Sequence, residues 1–272
     1  QTPEIHVKVF NAGQLRAVVK EGIASAVVID TMTPAFAELT ESKDLQELLS
    51  DLPVYLRIMR VGSSVNSDDR AKSLLKERIR SLKEAGVNIA GYYAAGLSAY
   101  EFADKGERII NDSNLYTMNA EATAAYAEAG ACAVVLSSEL TAEELTALTN
   151  NIRKAGAAKT ALMVYGRTEL MVSAQSVKKT LGKDVKDEFY FLKTEDGRKF
   201  PMYDFPADAC SLIYDCARLD LRGEREAEAL KKTAPDIVIY SFTDESPAEV
   251  ASVLSGGSIS SSDFGHFYKG IQ

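Results

Sequence analysis

The chain is poor in the residues that hold metals or build sulfur bridges. Of 272 residues, three are cysteine (Cys132, Cys210, Cys216) and two are histidine (His6, His266). So sparse and odd a cysteine set gives no disulfide framework and no CxxC pair, and points to a reducing, cytoplasmic setting. The sequence has no HExxH, no Gly-rich phosphate loop and no carboxylate ladder. Ser137 and Ser138 lack a Gly-x-Ser-x-Gly setting, so a nucleophile elbow is unsupported. No apolar run reaches the ~18 residues that a membrane helix needs. Gln1-Thr2-Pro3-Glu4 leads straight into a strand-like run, so no leader peptide is expected. A start at Gln1 rather than Met suggests one domain of a longer polypeptide. Positive charge is also short: 31 Lys and Arg stand against 39 Asp and Glu, a net charge of −8. That argues against a surface that coats nucleic acid broadly, while leaving room for a local basic patch.

What is present is an ordinary globular composition, 46% hydrophobic. A chain of this length buries roughly 70–75% of its unfolded surface and needs no metal to fold. Strand and helix patterns alternate along it. Strand-like runs fall at Ile5–Phe10, Ala26–Ile29, Val54–Ile58, Val87–Tyr93, Asn114–Met118, Cys132–Leu136, Ala161–Tyr165 and within Ala234–Tyr240. Helical spacing falls between them, at Gly13–Lys20, Pro34–Leu49, Asp68–Ala85, Ser98–Asp104 and Glu224–Lys232. Asn119 and Thr141 read as N-caps, Thr141 with Glu144 as a capping box, and Ser246-Pro247 as the start of a last helix. Eight strand–helix units predict an α/β fold, a (β/α)8 TIM-barrel-like domain over residues 1–254. Residues 255–272 read as a Gly/Ser linker and a tail.

The stretch from Ala161 to Lys179 organises this reading. A buried strand, Ala161–Tyr165, ends at Gly166 and delivers Arg167, Glu169, Ser173, Gln175 and Ser176 to one place. Ligands bind beyond the carboxyl ends of barrel strands, so this cluster reads either as a site or as a solvated ion pair on a turn. An excursion, Ser173 to Arg222, follows the seventh strand. Within it Glu195-Asp196-Gly197 separates two alternating aromatic runs, a hairpin signal. Two alternatives stand for His266: a ligand or general base over the mouth, or part of a docked aromatic tail. His6 reads as a half-buried packing residue. Cys210 and Cys216 read as buried structural thiols or as a thiolate pair.

Several motifs occur in a specific order. Val164-Tyr165-Gly166-Arg167 and Leu170-Met171-Val172-Ser173-Ala174-Gln175 resemble the long bacterial form of the U32 peptidase family, the collagenase-like proteases. Leu136-Ser137-Ser138-Glu139-Leu140, Gly197-Arg198-Lys199-Phe200-Pro201, Ile213-Tyr214-Asp215 and Gly265-His266-Phe267-Tyr268-Lys269-Gly270 extend the resemblance from about Asp112 onward. It implies the carboxyl-terminal barrel of a longer protein and peptide hydrolysis. It also implies an alternative, a non-catalytic recognition domain of a factor that modifies RNA, since relatives hydroxylate transfer or ribosomal RNA. Several relatives hold an iron–sulfur cluster on four cysteines. Here Ser176 stands where those relatives place the first cysteine, and Pro206, Ala209 and Cys210 stand near the expected downstream ones. No iron–sulfur cluster, structural zinc or other cofactor is therefore expected.

The expected site has Glu139, Arg167, Glu169 and His266 as catalytic candidates. Arg57, Arg60, Asn119, Tyr165, Gln175 and Asp244 are expected to bind a peptide or RNA. Arg167, a charge beside a buried strand, must be paired, with Glu169 or Glu139 expected as the partner. The other expected partner is the remainder of the polypeptide, and no membrane is involved.

Overall fold

The computed structural model describes residues 2–59, 69–177, 180, 189–205, 210–259 and 262–269. Eight parallel strands close into a barrel. They are β1 (Glu4–Val9), β2 (Ala26–Asp30), β3 (Val54–Ile58), β4 (Ile89–Ala94), β5 (Arg108–Asn111), β6 (Ala131–Val135), β7 (Lys159–Gly166) and, later in the chain, β13 (Ile237–Ser241). Each pairs with the next, and β13 closes the ring by pairing with both β7 and β1. The expected (β/α)8 architecture is the one observed.

Alternation along each strand divides the core in two. Ala26, Val28, Tyr55, Tyr93, Ile110, Val135, Ala161 and Ile239 fill the barrel interior. Val7, Val9, Val27, Ile29, Leu56 and Ile58 face outward onto the helices. These helices are α1 (Ala12–Glu21), α2 (Pro34–Glu41), α3 (Lys43–Leu48), α4 (Asp69–Glu84), α5 (Ala120–Glu128), α6 (Ala142–Ala155), α7 (Glu224–Thr233) and α8 (Pro247–Leu254). The capping signals hold. Thr141 and Glu144 cap α6 reciprocally, Ser246 and Glu249 do the same for α8, and Asn119 accepts the Ala122 N–H at the start of α5.

Three elements depart from the sequence reading. The fifth strand is Arg108–Asn111, not Asn114–Met118. Its two β-branched residues, Ile109 and Ile110, fill the ladder, and Thr117 makes only a single bridge to Leu136. Asp112 then caps a 3-10 turn, Ser113–Leu115, at the carboxyl end of β5. The short helix before β5 is a 3-10 turn, Leu97–Phe102. Pro34–Leu49 is two helices, because the Ser42 side chain caps a second start by accepting the Leu45 N–H.

The excursion after β7 is larger than one hairpin. Strands β8 (Glu169–Ser173), β9 (Tyr190–Lys193), β10 (Lys199–Phe205) and β11 (Cys210–Tyr214) form an antiparallel sheet in the order β8-β11-β10-β9. The expected hairpin is its β9–β10 edge. Tyr203, Phe205, Cys210, Leu212 and Tyr214 pack this sheet onto Phe10 and Met59, which follow β1 and β3. The sheet therefore covers the carboxyl rim of the barrel. Strand β12 (Arg218–Asp220) returns along β7, and β14 (Ser262–Asp263) pairs with it.

Candidate functional site

Strands β1, β2 and β3 carry Lys8, Asp30 and Arg57 on their inward faces near the carboxyl rim, above the aromatic layer of His6, Tyr55 and Tyr93. Arg57 is 2% exposed. A guanidinium buried so completely must have its donors satisfied. It gives Nη1 to Asp30 Oδ2 at 2.6 Å and to the Met59 sulfur, and Nε to Asp112 Oδ2. It gives Nη2 to Asn114 Oδ1 at 2.7 Å and to Glu169 Oε2 at 2.9 Å. All five N–H donors are thus used inside the protein. Arg57 is the hub of the mouth.

Around this hub lies a cavity of about 70 Å³. Its polar lining includes Lys8, Asp112, Asn114, Ser138, Thr168 and Glu169, and Val28, Leu162 and Ile239 supply apolar wall. Glu169 Oε1 is buried and has no hydrogen-bond partner among the described residues. Lys8 makes no hydrogen bond or ion pair to the described residues. Burial pushes its ammonium below the usual range, and Arg57 adds to this, with Glu169, Asp30 and Asp112 opposing. Burial pushes Asp112 up, but Arg57 and Lys8 outweigh it and hold the carboxyl below its usual range. Burial, with the charges of Glu169 and Asp30, pushes the Tyr214 hydroxyl well up, so it stays protonated. Asp30, Asp112 and Glu169 face Arg57 here, with Lys8 beside them.

Comparisons with known proteins give the fold. No family model and no curated protein sequence matches the chain. A solved U32 peptidase, Mk0906, is similar in structure, with a TM-score of 0.55 and 11% identity over 90% of this chain and 95% of that one. The spore cortex-lytic enzyme SleL of Bacillus cereus follows at 0.47 and 8% identity, over 96% of this chain and 76% of that one. The N-acetylmannosamine-6-phosphate 2-epimerase of Clostridium perfringens follows at 0.44 and 10%, over 93% and 92%. The first likeness is a distant barrel relationship.

Of the residues singled out in the sequence, Arg57, Arg167 and Glu169 line the cavity. Arg167 is paired, but the expected partner is wrong. Its Nε and Nη2 meet Asp244 Oδ1 and Oδ2 at 2.9 and 3.2 Å, while Nη1 donates to the carbonyls of Asp215 and Cys216. Glu169 is drawn instead to Arg57, and Glu139 makes no ion pair with it. Asp244 also takes Arg218, and Glu245 takes Arg218 and the Tyr165 hydroxyl. Tyr165 faces this outer network and the helical core. Asn119 is occupied as a helix cap. Gln175 and His266 are exposed and do not line the cavity. Arg60 lies outside the described residues.

His6 is fully buried rather than half-buried; its Nδ1 is 2.8 Å from the Tyr93 hydroxyl. Ser176 is buried, and its hydroxyl donates to Asp204 Oδ2 at 2.9 Å. Cys210 is buried, Cys216 and Cys132 half-buried. Among the described residues no three His, Cys, Asp or Glu side chains gather as a metal cage. Sequence reasoning missed Lys8, Asp30, Asp112 and Asn114. A signal existed for Lys8: Ile5, Val7 and Val9 alternate with His6 and Lys8, so both polar residues share the face opposite the apolar one.

Proposed function

We propose that this chain is the carboxyl-terminal barrel of a U32-type protein and that its mouth hydrolyses an amide bond of a peptide. The ordered motifs from Leu136 to Gly270 and the distant likeness to Mk0906 support the family reading. One observation carries the chemistry. Arg57 holds Glu169 by Oε2 and leaves Oε1 buried and without a partner among the described residues. A carboxylate fixed at one oxygen and unpaired at the other suits a general base. It takes the proton of a water that attacks the carbonyl carbon. Arg57 also occupies Asn114 Oδ1, which turns the Asn114 amide N–H groups elsewhere. They are the donors for the oxyanion that develops.

The test is turnover of gelatin and of a quenched fluorescent peptide library by the purified chain. Glu169→Gln keeps the shape and removes the base, and should lower the rate about 10²–10⁴-fold. No turnover by the wild type, or equal turnover by the variant, overturns the reading.

A recognition role toward RNA is the second reading. It is favoured by the β9–β10 edge, where Lys193 and Lys199 are cross-strand neighbours and Arg198 and Phe191 are exposed. Basic and aromatic groups on one hairpin suit phosphates and unstacked bases. Salt-dependent binding of a single-stranded RNA, lost on Lys193→Ala with Lys199→Ala, would favour it over hydrolysis.

A further inference from the structure

The hydrolytic reading leaves Lys8 unused, and Lys8 is the least satisfied charged group of the mouth. It sits on the inward face of β1, one inward position above His6. It lines the cavity with Arg57, Asp112, Glu169 and Tyr214. Three carboxylates lie in the same place, yet their oxygens go to Arg57: Oδ2 of Asp30, Oδ2 of Asp112 and Oε2 of Glu169. Lys8 forms no ion pair or hydrogen bond with the described residues. Lys8 is half-buried; an amine so placed beside a fixed guanidinium holds its proton weakly, and desolvation and Arg57 both push Lys8 in that direction. The free-base amine is a strong nucleophile toward carbonyl carbon.

We propose that Lys8 forms an imine with a small aldehyde or keto acid held in the mouth of the barrel. The Nζ lone pair adds to the carbonyl carbon, and the carbonyl oxygen takes a proton to give the carbinolamine. Nitrogen loses a proton, the hydroxyl leaves as water with one proton, and a protonated C=N bond remains. One water is released, no electrons are transferred, and no redox partner is needed. The unpartnered Glu169 Oε1 is the proton carrier of both steps. The cavity, about 70 Å³, takes a carbonyl compound of a few heavy atoms whole, whereas a peptide would place only its scissile amide there. This inference is independent of amide hydrolysis, which requires no covalent bond to Lys8.

The experiment is reductive trapping on the whole chain. The protein is incubated with pyruvate and sodium cyanoborohydride, digested, and mapped by mass spectrometry. An amine held against a bound carbonyl compound reacts faster than one free in solvent, so label at Lys8 should exceed the mean of the exposed lysines about tenfold or more. Glycolaldehyde in place of pyruvate tells whether the carboxylate is required. Lys8→Arg should abolish the excess label. The wild-type map needs no variant, so it decides even if Lys8→Arg fails to fold. Label spread evenly over exposed lysines with both probes, or an undiminished adduct in folded Lys8→Arg, overturns the proposal.

Discussion

Glu169, on the first strand of the excursion, reaches Arg57, on the third strand of the barrel, across 112 positions of sequence. The contact is 2.9 Å, and the two side chains are 9% and 2% exposed. It ties the sheet over the mouth to the barrel wall. It also fixes the orientation of Glu169 Oε1, which is buried and without a partner among the described residues. Removing Arg57 strands Asp30, Asp112 and Glu169 together in a buried place. Arg57→Ala should therefore destabilise by about 3–5 kcal/mol. Arg57→Lys should recover little, because an ammonium cannot present the planar fork that five partner residues share. Urea unfolding midpoints check this, and an unchanged midpoint in Arg57→Ala would show that the hub is dispensable.

Arg167 and Asp244 make a two-pronged pair at the end of β7, with Arg167 6% exposed. Arg167→Ala should cost less than the about 3–5 kcal/mol of a fully broken buried pair, because Asp244 keeps Arg218. A double-mutant cycle with Asp244→Ala should return a coupling of about 0.5–3 kcal/mol. The same cycle with Glu139→Ala should return none. Coupling to Glu139 instead of Asp244 would refute the assignment.

The barrel was legible because its signals are local. Apolar runs such as Ala161–Tyr165, caps such as Thr141 with Glu144, and the Asp196-Gly197 turn each act within a few residues. The fifth strand was missed because it is four residues long, and the strand-like run after it, Asn114–Met118, carried the wrong weight. The site was half legible. Arg167 and Glu169 stood out because a buried strand delivers them. Their partners did not, because Arg57 lies 112 positions from Glu169 and Asp244 lies 77 from Arg167. Ring closure brings such residues together, and periodicity does not report it. Lys8 was hidden differently, as one polar residue in an alternating strand that reads equally as solvent-facing.

Gly166 has φ +137°, and a Cβ there would lie 2.3 Å from the Ser241 carbonyl oxygen. This glycine lets β7 and β13 approach where Arg167 leaves the strand. Gly166→Ala should carry backbone strain of about 1–3 kcal/mol together with the clash. Gly86 has φ +89° but open space about its Cβ. Gly86→Ala therefore serves as the control with strain alone. Thermal unfolding of both variants separates the terms, and equal losses would mean that the close approach is relieved at no cost.

His6 sets a pH limit on the fold. Its ring is wholly enclosed by the barrel, and its pKa is lowered from 6.5 to about 4. Burial is the main cause; the Glu4 contact opposes it, and the charges of Arg108 and Lys159 add to it. The neutral ring accepts from the Tyr93 hydroxyl at Nδ1, which leaves Nε2–H facing Glu4 at 3.4 Å. Between pH 6.5 and about 4 the unfolded chain binds a proton that the native chain refuses. Stability is therefore full above this window and falls as pH drops through it, by on the order of 3 kcal/mol. Asp112 does not confuse the measurement, because its lowered pKa places its own loss at still lower pH. Urea unfolding at intervals from pH 7 to pH 4 should show the decline in the wild type. His6→Gln removes the titrating group, and its curve should be flatter over the same interval. Parallel curves for the two proteins would mean that His6 charges freely inside the barrel and that its Tyr93 contact is not a fixed acceptor.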